Sequence, residues 1–342
     1  MTEERAAAGR NGPTRSGRGD AAGPPGTRPG ARPAVCASLP LDASRVRLDA
    51  HIHLFGADEK KHKCFVSESR RKGFVSRYLR LLVGVSRRAG DEVFDLAYAD
   101  HLARLVSEAK YLDRALVFAL DGLYTPDGRL DPRTEIVVSN DWAIEAVRRH
   151  PDLFVLGASI HPARPDALDE LDRCGEAGAV CVKWVPNSQG IDPSDRRYTR
   201  FYQRMLELGM VLTSHTGYEH SVFVVDQSLG DPERLRLPLE MGLTVVAGHA
   251  GTSGFYHRVE YFPNLLRLVE EFPNLYADSS AMANPVRFTY LRRLLETPVV
   301  DRLVQGTDYP VPPAPVLWPR AIGPLEALRI QATANPFDRD CL

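Results

Sequence analysis

The sequence predicts a (β/α)8 TIM barrel, with an extended cap between strands 1 and 2 and a disordered N-terminal tail. Three observations predict it. Eight short apolar runs follow one another from residue 46 onward, at the roughly 30-residue period of a βαβ unit. Amphipathic helical stretches lie between most of them. Residues able to bind metal or move protons stand at the ends of several runs, where such barrels gather their functional groups. An open doubly wound sheet is the competing arrangement. The count of eight runs and the missing glycine-rich nucleotide fingerprint favour the barrel.

Residues 1–40 are low-complexity, rich in Ala, Gly, Pro and Arg, and cannot bury enough apolar surface to offset the entropy of ordering. The folded domain is expected at 45–342, with the barrel itself over about 45–330. Its strands are read at 46–53, 115–120, 154–160, 179–185, 210–215, 243–248, 274–277 and 303–306. Helices are read at 140–147, which opens on Asn140 and Asp141, at 201–209, which ends on Gly209, and at 265–273 and 290–295. The link 55–113 is long. It carries a basic patch (Lys60, Lys61, Lys63, Arg70, Arg71, Lys72) and an amphipathic helix near 91–109, and reads as a lid over the barrel mouth. The C-terminal end is short: proline-rich chain after Asp308, then one modest helix. A homodimer would be compatible with so brief an end.

The chain has 342 residues, with 43 Lys and Arg against 44 Asp and Glu. It has no basic excess for nucleic acid and no apolar run long enough for a bilayer. The expected partner is a small-molecule substrate, a carboxylate among the classes considered, with no nucleic acid and no membrane. Cys36, Cys64, Cys174, Cys181 and Cys341 are scattered without CxxC spacing. They read as reduced thiols of a cytoplasmic protein.

The first strand carries the strongest local signal, Asp49-Ala50-His51-Ile52-His53. Residues two apart on a strand share a face, so His51 and His53 offer two imidazoles in one direction. Lys183 stands near the end of strand 4, His215 at the end of strand 5, His249 after strand 6 and Asp308 after strand 8. Each alone is ordinary. Together they form a ligand set at corresponding places on five strands, which points to a divalent metal. Imidazole and carboxylate donors suit zinc first, with manganese not excluded. Asp121, the segment from Ser159 to His161, and Asp278 through Ser280 also end strands and are candidates to orient the histidines. Polar groups of the loop 186–190 and His220 could reach the site; Trp184, Tyr218 and Tyr309 could wall it or simply pack. His62, His101, His150 and His257 show no partner pattern and read as surface or helix histidines.

These pieces resemble the amidohydrolase superfamily, and within it the amidohydrolase-2 branch that includes aminocarboxymuconate-semialdehyde decarboxylase-like proteins. The matching segments are Asp49-Ala50-His51-Ile52-His53, Val182-Lys183, Ser214-His215-Thr216-Gly217, Gly248-His249-Ala250-Gly251 and Gly306-Thr307-Asp308-Tyr309-Pro310. The resemblance implies that His51, His53 and Asp308 hold the deeper metal and that His215 is a ligand in one-metal and two-metal relatives alike. It implies that His249 is either a second-metal ligand or a catalytic group facing an oxyanion. Lys183 would be a carboxylated bridge between two metals, a partner for a substrate carboxylate, or a partner of Asp308. The implied activity is hydrolysis of an amide, ester or lactone, with Asp308 moving the proton of the attacking water and His249 and Lys183 assisting. The alternatives are a decarboxylase or hydratase of an unsaturated or aromatic acid, and a non-catalytic metal-binding relative.

Overall fold

The computed structural model describes residues 46–86, 88–254 and 259–342. The expected tail at 1–40, Cys36 and His257 lie outside the described residues. Eight parallel strands form one sheet in chain order: β1 (Leu48–His53), β2 (Arg114–Phe118), β3 (Phe154–Ala158), β4 (Cys181–Trp184), β5 (Val211–His215), β6 (Val245–Gly248), β7 (Leu275–Asp278) and β8 (Leu303–Val304). The strands are mostly buried, as the continuous apolar runs require when helices cover a parallel sheet. β8 has only two residues, but the chain beyond it still returns to β1. Ala50 N–H donates to Gln305 O at 2.9 Å, Asp308 N–H to His51 O at 2.9 Å and His53 N–H to Tyr309 O at 3.0 Å. The first and last strands are therefore joined at the level of the site residues, and the barrel is nearly closed.

The cap divides differently from the sequence expectation. The helix Asp91–Glu108 is not lid. It buries Phe94, Tyr98, Leu102 and Val106 in the same core as Ile52 and Leu54 of the β1 region, and serves as the crossover to β2. The cap proper is a two-residue strand, Phe65–Val66, paired antiparallel with Ile136–Val137, followed by helices Glu68–Lys72 and Phe74–Leu82. Five of the six side chains of its basic patch are paired locally. Lys61 pairs with Glu92, Lys63 with Asp141, Arg70 with Glu135, Arg71 with Asp91 and Glu59, and Lys72 with Glu68. It is therefore not a free cationic surface. Exposed pairs of this kind each contribute about 0–1 kcal/mol and mainly set the lie of the cap.

The C-terminal end holds more than one modest helix. Short helices run over Pro319–Ile322, Pro324–Gln331 and Pro336–Cys341. Each starts on a proline, which fits the first helical position because its missing N–H would have no partner there. Phe337 is fully buried against Tyr309, and Asp338 accepts the N–H groups of Lys110 and Tyr111 just past the Asp91–Glu108 helix. The chain thus covers its own barrel end. Among the described residues no helix is long and apolar enough to cross a membrane.

One histidine departs from its expected surface role. His62 is buried, stacked on Trp142 at 4.2 Å, with Nδ1 2.7 Å from the buried Asp95 carboxylate. Asp95 also accepts the N–H groups of Ala57 and Asp58, so this histidine knots the chain after β1 onto the crossover helix. His101 and His150 stay with helices, bonded to Tyr309 and Asp100 respectively.

Candidate metal centre

His51 and His53 meet one carboxylate. Asp308 Oδ1 lies 3.1 Å from His53 Nε2 and 3.6 Å from His51 Nε2. β1 turns both rings to the barrel interior, as the two-residue period requires. Lys183 Nζ, 1% exposed, sits 3.0 Å from His51 Nε2; the contact is with the histidine, and Asp308 adds attraction from further away. Gly306 has to be glycine here, since a Cβ would lie 2.8 Å from His51 Cβ.

The far side of His51 is held by β7. The expected strand ended at Ala277; the observed one includes Asp278, whose carboxylate is wholly buried. Asp278 Oδ2 is 2.7 Å from His51 Nδ1, and Oδ1 accepts the His249 N–H at 2.8 Å and the Ser280 N–H at 3.1 Å. Ser280 Oγ donates to the same Oδ1 and lies 2.8 Å from His249 Nδ1. Burial alone would raise the Asp278 pKa. His51, Lys183 and Ser280 outweigh it and bring it to about 2. Asp278 is thus a fixed anion that ties His51 and His249 to one point, as the strand-end reading anticipated.

His249 and Asp308 both adopt left-handed backbone, with φ of 61° and 64°. Such conformations cost about 1–3 kcal/mol each and persist where the surroundings enforce them. Here the enforcers are the His249 N–H to Asp278 and the Asp308 N–H to His51 O.

His215 ends β5 with its ring 4.6 Å from that of His249. Its Nδ1 is 3.4 Å from Glu219 Oε2, a partner that the sequence reading missed. The spacing of four residues carries no signal in a loop, and only the turn at Gly217 brings Glu219 back. Gly217 has φ of 89°, and a Cβ there would sit 2.0 Å from the Thr252 carbonyl oxygen. Gly217→Ala is therefore expected to destabilise the fold by about 3 kcal/mol, read by thermal denaturation. An unchanged Tm would contradict the close packing of these two loops.

The donor set fits a divalent cation. His215 Nε2 is buried with no hydrogen-bond partner, an arrangement that costs free energy unless something else occupies its lone pair. Burial, followed in the case of His51 by Lys183 and in the case of His215 and His249 by Arg287, lowers the pKa of all three histidines, so they are neutral, as ligation requires. Burial would raise the Asp308 pKa, but His53, His51 and Lys183 outweigh it and hold it below the usual carboxylate value. Donor separations of 3.1 and 3.6 Å bracket the edge of about 3.4 Å expected for a tetrahedron with bonds of about 2.1 Å. His51, His53 and Asp308 form one group able to hold an ion; His51, His249 and Asp278 form another. In the latter the His51–Asp278 contact is a short hydrogen bond, which marks Asp278 as an orienting group more than a ligand.

Other candidates stand back from this centre. Asp121 accepts the His161 N–H and pairs with Arg164, and His161 Nε2 contacts Gln189 O. Ser159 Oγ donates to the Lys183 carbonyl and so braces β4. Asn187 donates to Gly217 O, and Gln189 donates to Asp121 O, so the 186–190 loop ties neighbouring loops together. Trp184 and Tyr309 are buried in the packing and do not wall the site. The wall comes from the cap and from the segments on either side of it. A cavity of about 930 Å³ opens above His53, Lys183, His215, His249 and Asp308, and Phe55, Phe74, Tyr78, Leu79 and Phe94 line it together with His220 and Arg287.

The structure is a nearly closed eight-stranded parallel barrel with histidines, a lysine and an aspartate converging at the strand ends, a candidate metal-binding arrangement. The chain belongs to the amidohydrolase-2 family: that family's model, described as amidohydrolase, matches residues 49–331. Among solved structures the chain is similar to a TIM-barrel protein of Bordetella bronchiseptica, at 16% identity and a TM-score of 0.53, over 78% of this chain and 87% of that one. It is also similar to a 5-carboxyvanillate decarboxylase of Novosphingobium aromaticivorans solved with manganese and 3-methoxy-4-hydroxy-5-nitrobenzoic acid, at 14% identity and a TM-score of 0.49, over 86% and 93%. A third is a 4-oxalomesaconate hydratase of Rhodopseudomonas palustris, at 16% identity and a TM-score of 0.48, over 86% and 92%. No curated protein matches the chain.

Proposed function

We propose that this protein is a metal-dependent hydrolase acting with activated water on an amide, ester or lactone of a small organic substrate. Zinc is the proposed metal and manganese the alternative. The observation that carries the reading is the convergence of His51 Nε2, His53 Nε2 and Asp308 Oδ1, with the unpartnered His215 Nε2 lining the same cavity. When bound, a divalent metal lowers the pKa of water to roughly 7 and polarises the carbonyl under attack. His51, His53 and Asp308 would hold one ion; His215, His249 and a carboxylated Lys183 would hold a second. Asp308, ionised beside the two β1 histidines, accepts the proton of the attacking water and returns it to the leaving group.

The hydrogen-bond chain on β7 bears on His249. Ser280 Oγ donates to Asp278, so it receives the Nδ1 hydrogen of the neutral His249 ring, and Nε2 keeps its lone pair. A lone pair there supports a ligand role over donation to an oxyanion. Burial lowers the Lys183 pKa, although Asp278 and Asp308 oppose it, which favours the free amine. That nitrogen can add to CO2 with loss of one proton, giving the N-carboxylate.

One observation favours the lyase reading, decarboxylation or hydration of an unsaturated or aromatic acid. Lys183 and Arg287 both line the cavity, and a guanidinium with an amine donor beside it suits a substrate carboxylate. Cellular setting rests on the thiols: Cys64, Cys174 and Cys181 are buried, free, and pushed up by burial to about 12, which suits a reducing, cytoplasmic environment.

Elemental analysis of protein purified without chelator tests the centre. Two metals per chain are the expected result and favour hydrolysis; one metal leaves Lys183 for a substrate carboxylate and favours the lyase. A chelator is then expected to lower Tm, because an ion at about a thousand times its Kd contributes about 4 kcal/mol. Protein that takes up no metal from added zinc or manganese overturns both readings.

A further inference from the structure

We infer that the substrate is an elongated amphiphile, a carbonyl compound or acid whose apolar body spans two or more rings, not a single-ring acid. The inference rests on the metal-centre reading for the placement of the polar head and on the cavity alone for the size and character of the rest.

Size comes first. A dry cavity of roughly 150 Å³ accepts one benzene, and this one measures about 930 Å³, room for about six such rings by volume. The polar donors account for only its floor, where His53, Lys183, His215, His249 and Asp308 face the space. A one-ring acid held there would leave most of the apolar lining wet.

Character comes next. Above the floor the lining is largely apolar: Phe55, Leu79 and Phe94 on one side, Leu120, Val138 and Val185 on another. The cap helix Phe74–Leu82 adds Phe74 and Tyr78, whose rings stack at 6.2 Å and 14°. Phe74 is 80% exposed although it lines the cavity, and Tyr78 is also exposed. Leaving two aromatic rings in water at the edge of a binding space forgoes burial that a long ligand would supply. Of the basic side chains that line the cavity, Arg70, Arg71 and Arg80 are paired with carboxylates, Arg77 is exposed on the cap helix, and Lys183 and Arg287 stand by the histidines. One polar end therefore belongs on the floor, and the apolar length runs outward beneath the cap helix.

The test is calorimetric titration of the metal-loaded protein with benzoic acid and with biphenyl-4-carboxylic acid. The second ring is expected to tighten binding at least tenfold. In the double variant Phe74→Ala, Tyr78→Ala, that advantage is expected to shrink at least threefold while the benzoate affinity stays the same; both side chains are exposed, so the fold is retained. Equal affinity for the two acids, or no binding of either, overturns the inference. Metal content measured on the same samples separates the two claims. Stoichiometric metal with a flat ring series removes the size inference and leaves the metal centre, whereas a steep ring series in protein that holds no metal does the reverse.

Discussion

Asp308→Asn is expected to lower kcat by about a thousandfold, within the range of roughly 10²–10⁴ that a positioned proton-transfer group contributes. The amide keeps the size of the carboxylate and the Asp308 N–H bond to His51 O, so the left-handed turn after β8 survives. It loses the charge that faces His53 Nε2 at 3.1 Å and His51 Nε2 at 3.6 Å. Two roles are therefore removed together, proton acceptor and anionic ligand, and they are separated by measurement. Zinc affinity by competition with a chromophoric chelator reports the ligand role. The rate at saturating zinc, on a substrate found by screening esters, lactones and aromatic acids, reports proton transfer. A variant within tenfold of the parent rate under those conditions would remove Asp308 from the chemistry.

Asp278→Asn is expected to weaken zinc binding by 10- to 100-fold, the usual cost of losing a carboxylate that orients a metal-binding histidine. Asp278 is not exposed to the cavity. It acts through His51 Nδ1 at 2.7 Å, and through Ser280 on His249. In the amide one acceptor oxygen remains, and the His249 N–H and Ser280 hold it, so the NH2 group faces His51, the hydrogen is no longer fixed on Nδ1, and Nε2 no longer holds its lone pair toward the site. A structural role alone would lower Tm and leave the zinc affinity of the folded protein unchanged. An orienting role lowers the affinity under conditions where the variant is fully folded, and Asp278→Ala, which leaves His51 Nδ1 without its partner, is expected to lower it further. Zinc affinity within threefold of the parent in both variants would sink the assignment. Neither variant touches the cap, so a length-dependent affinity for aryl carboxylates is a separate property of the chain.

Much of the architecture was legible because its signals are local. A parallel strand buried on both faces must be a short apolar run, and eight such runs with helical stretches between them leave few arrangements. The donors were legible for the same reason. His51 and His53 obey the two-residue period of one strand, and Lys183, His215, His249 and Asp308 stand near or just past the ends of their own runs. Each needed only the end of its own run to be placed. The helix at Asp91–Glu108 was legible as a helix but not as part of the barrel layer, because an amphipathic stripe states that a face is buried and not against what. The pairing of the basic patch was not legible for a related reason: Glu92, Asp141 and Glu135, which pair with Lys61, Lys63 and Arg70, lie well along the chain.

What the sequence by itself determined is the barrel, its order of strands and a set of candidate metal ligands at the strand ends. Periodicity and strand-end position are properties of one segment at a time. What only the tertiary structure decided is which groups hold those side chains in place and what surrounds them. His51 and Asp278 are 227 residues apart, and His62 and Asp95 are 33. The cavity is lined jointly by the cap and by the barrel segments beneath it, and the cap's aromatic residues, ordinary in sequence, matter only where the helix Phe74–Leu82 is set down. Hydrogen bonds and cavities are made between segments, and the energy that selects them exists only once the barrel has brought those segments together.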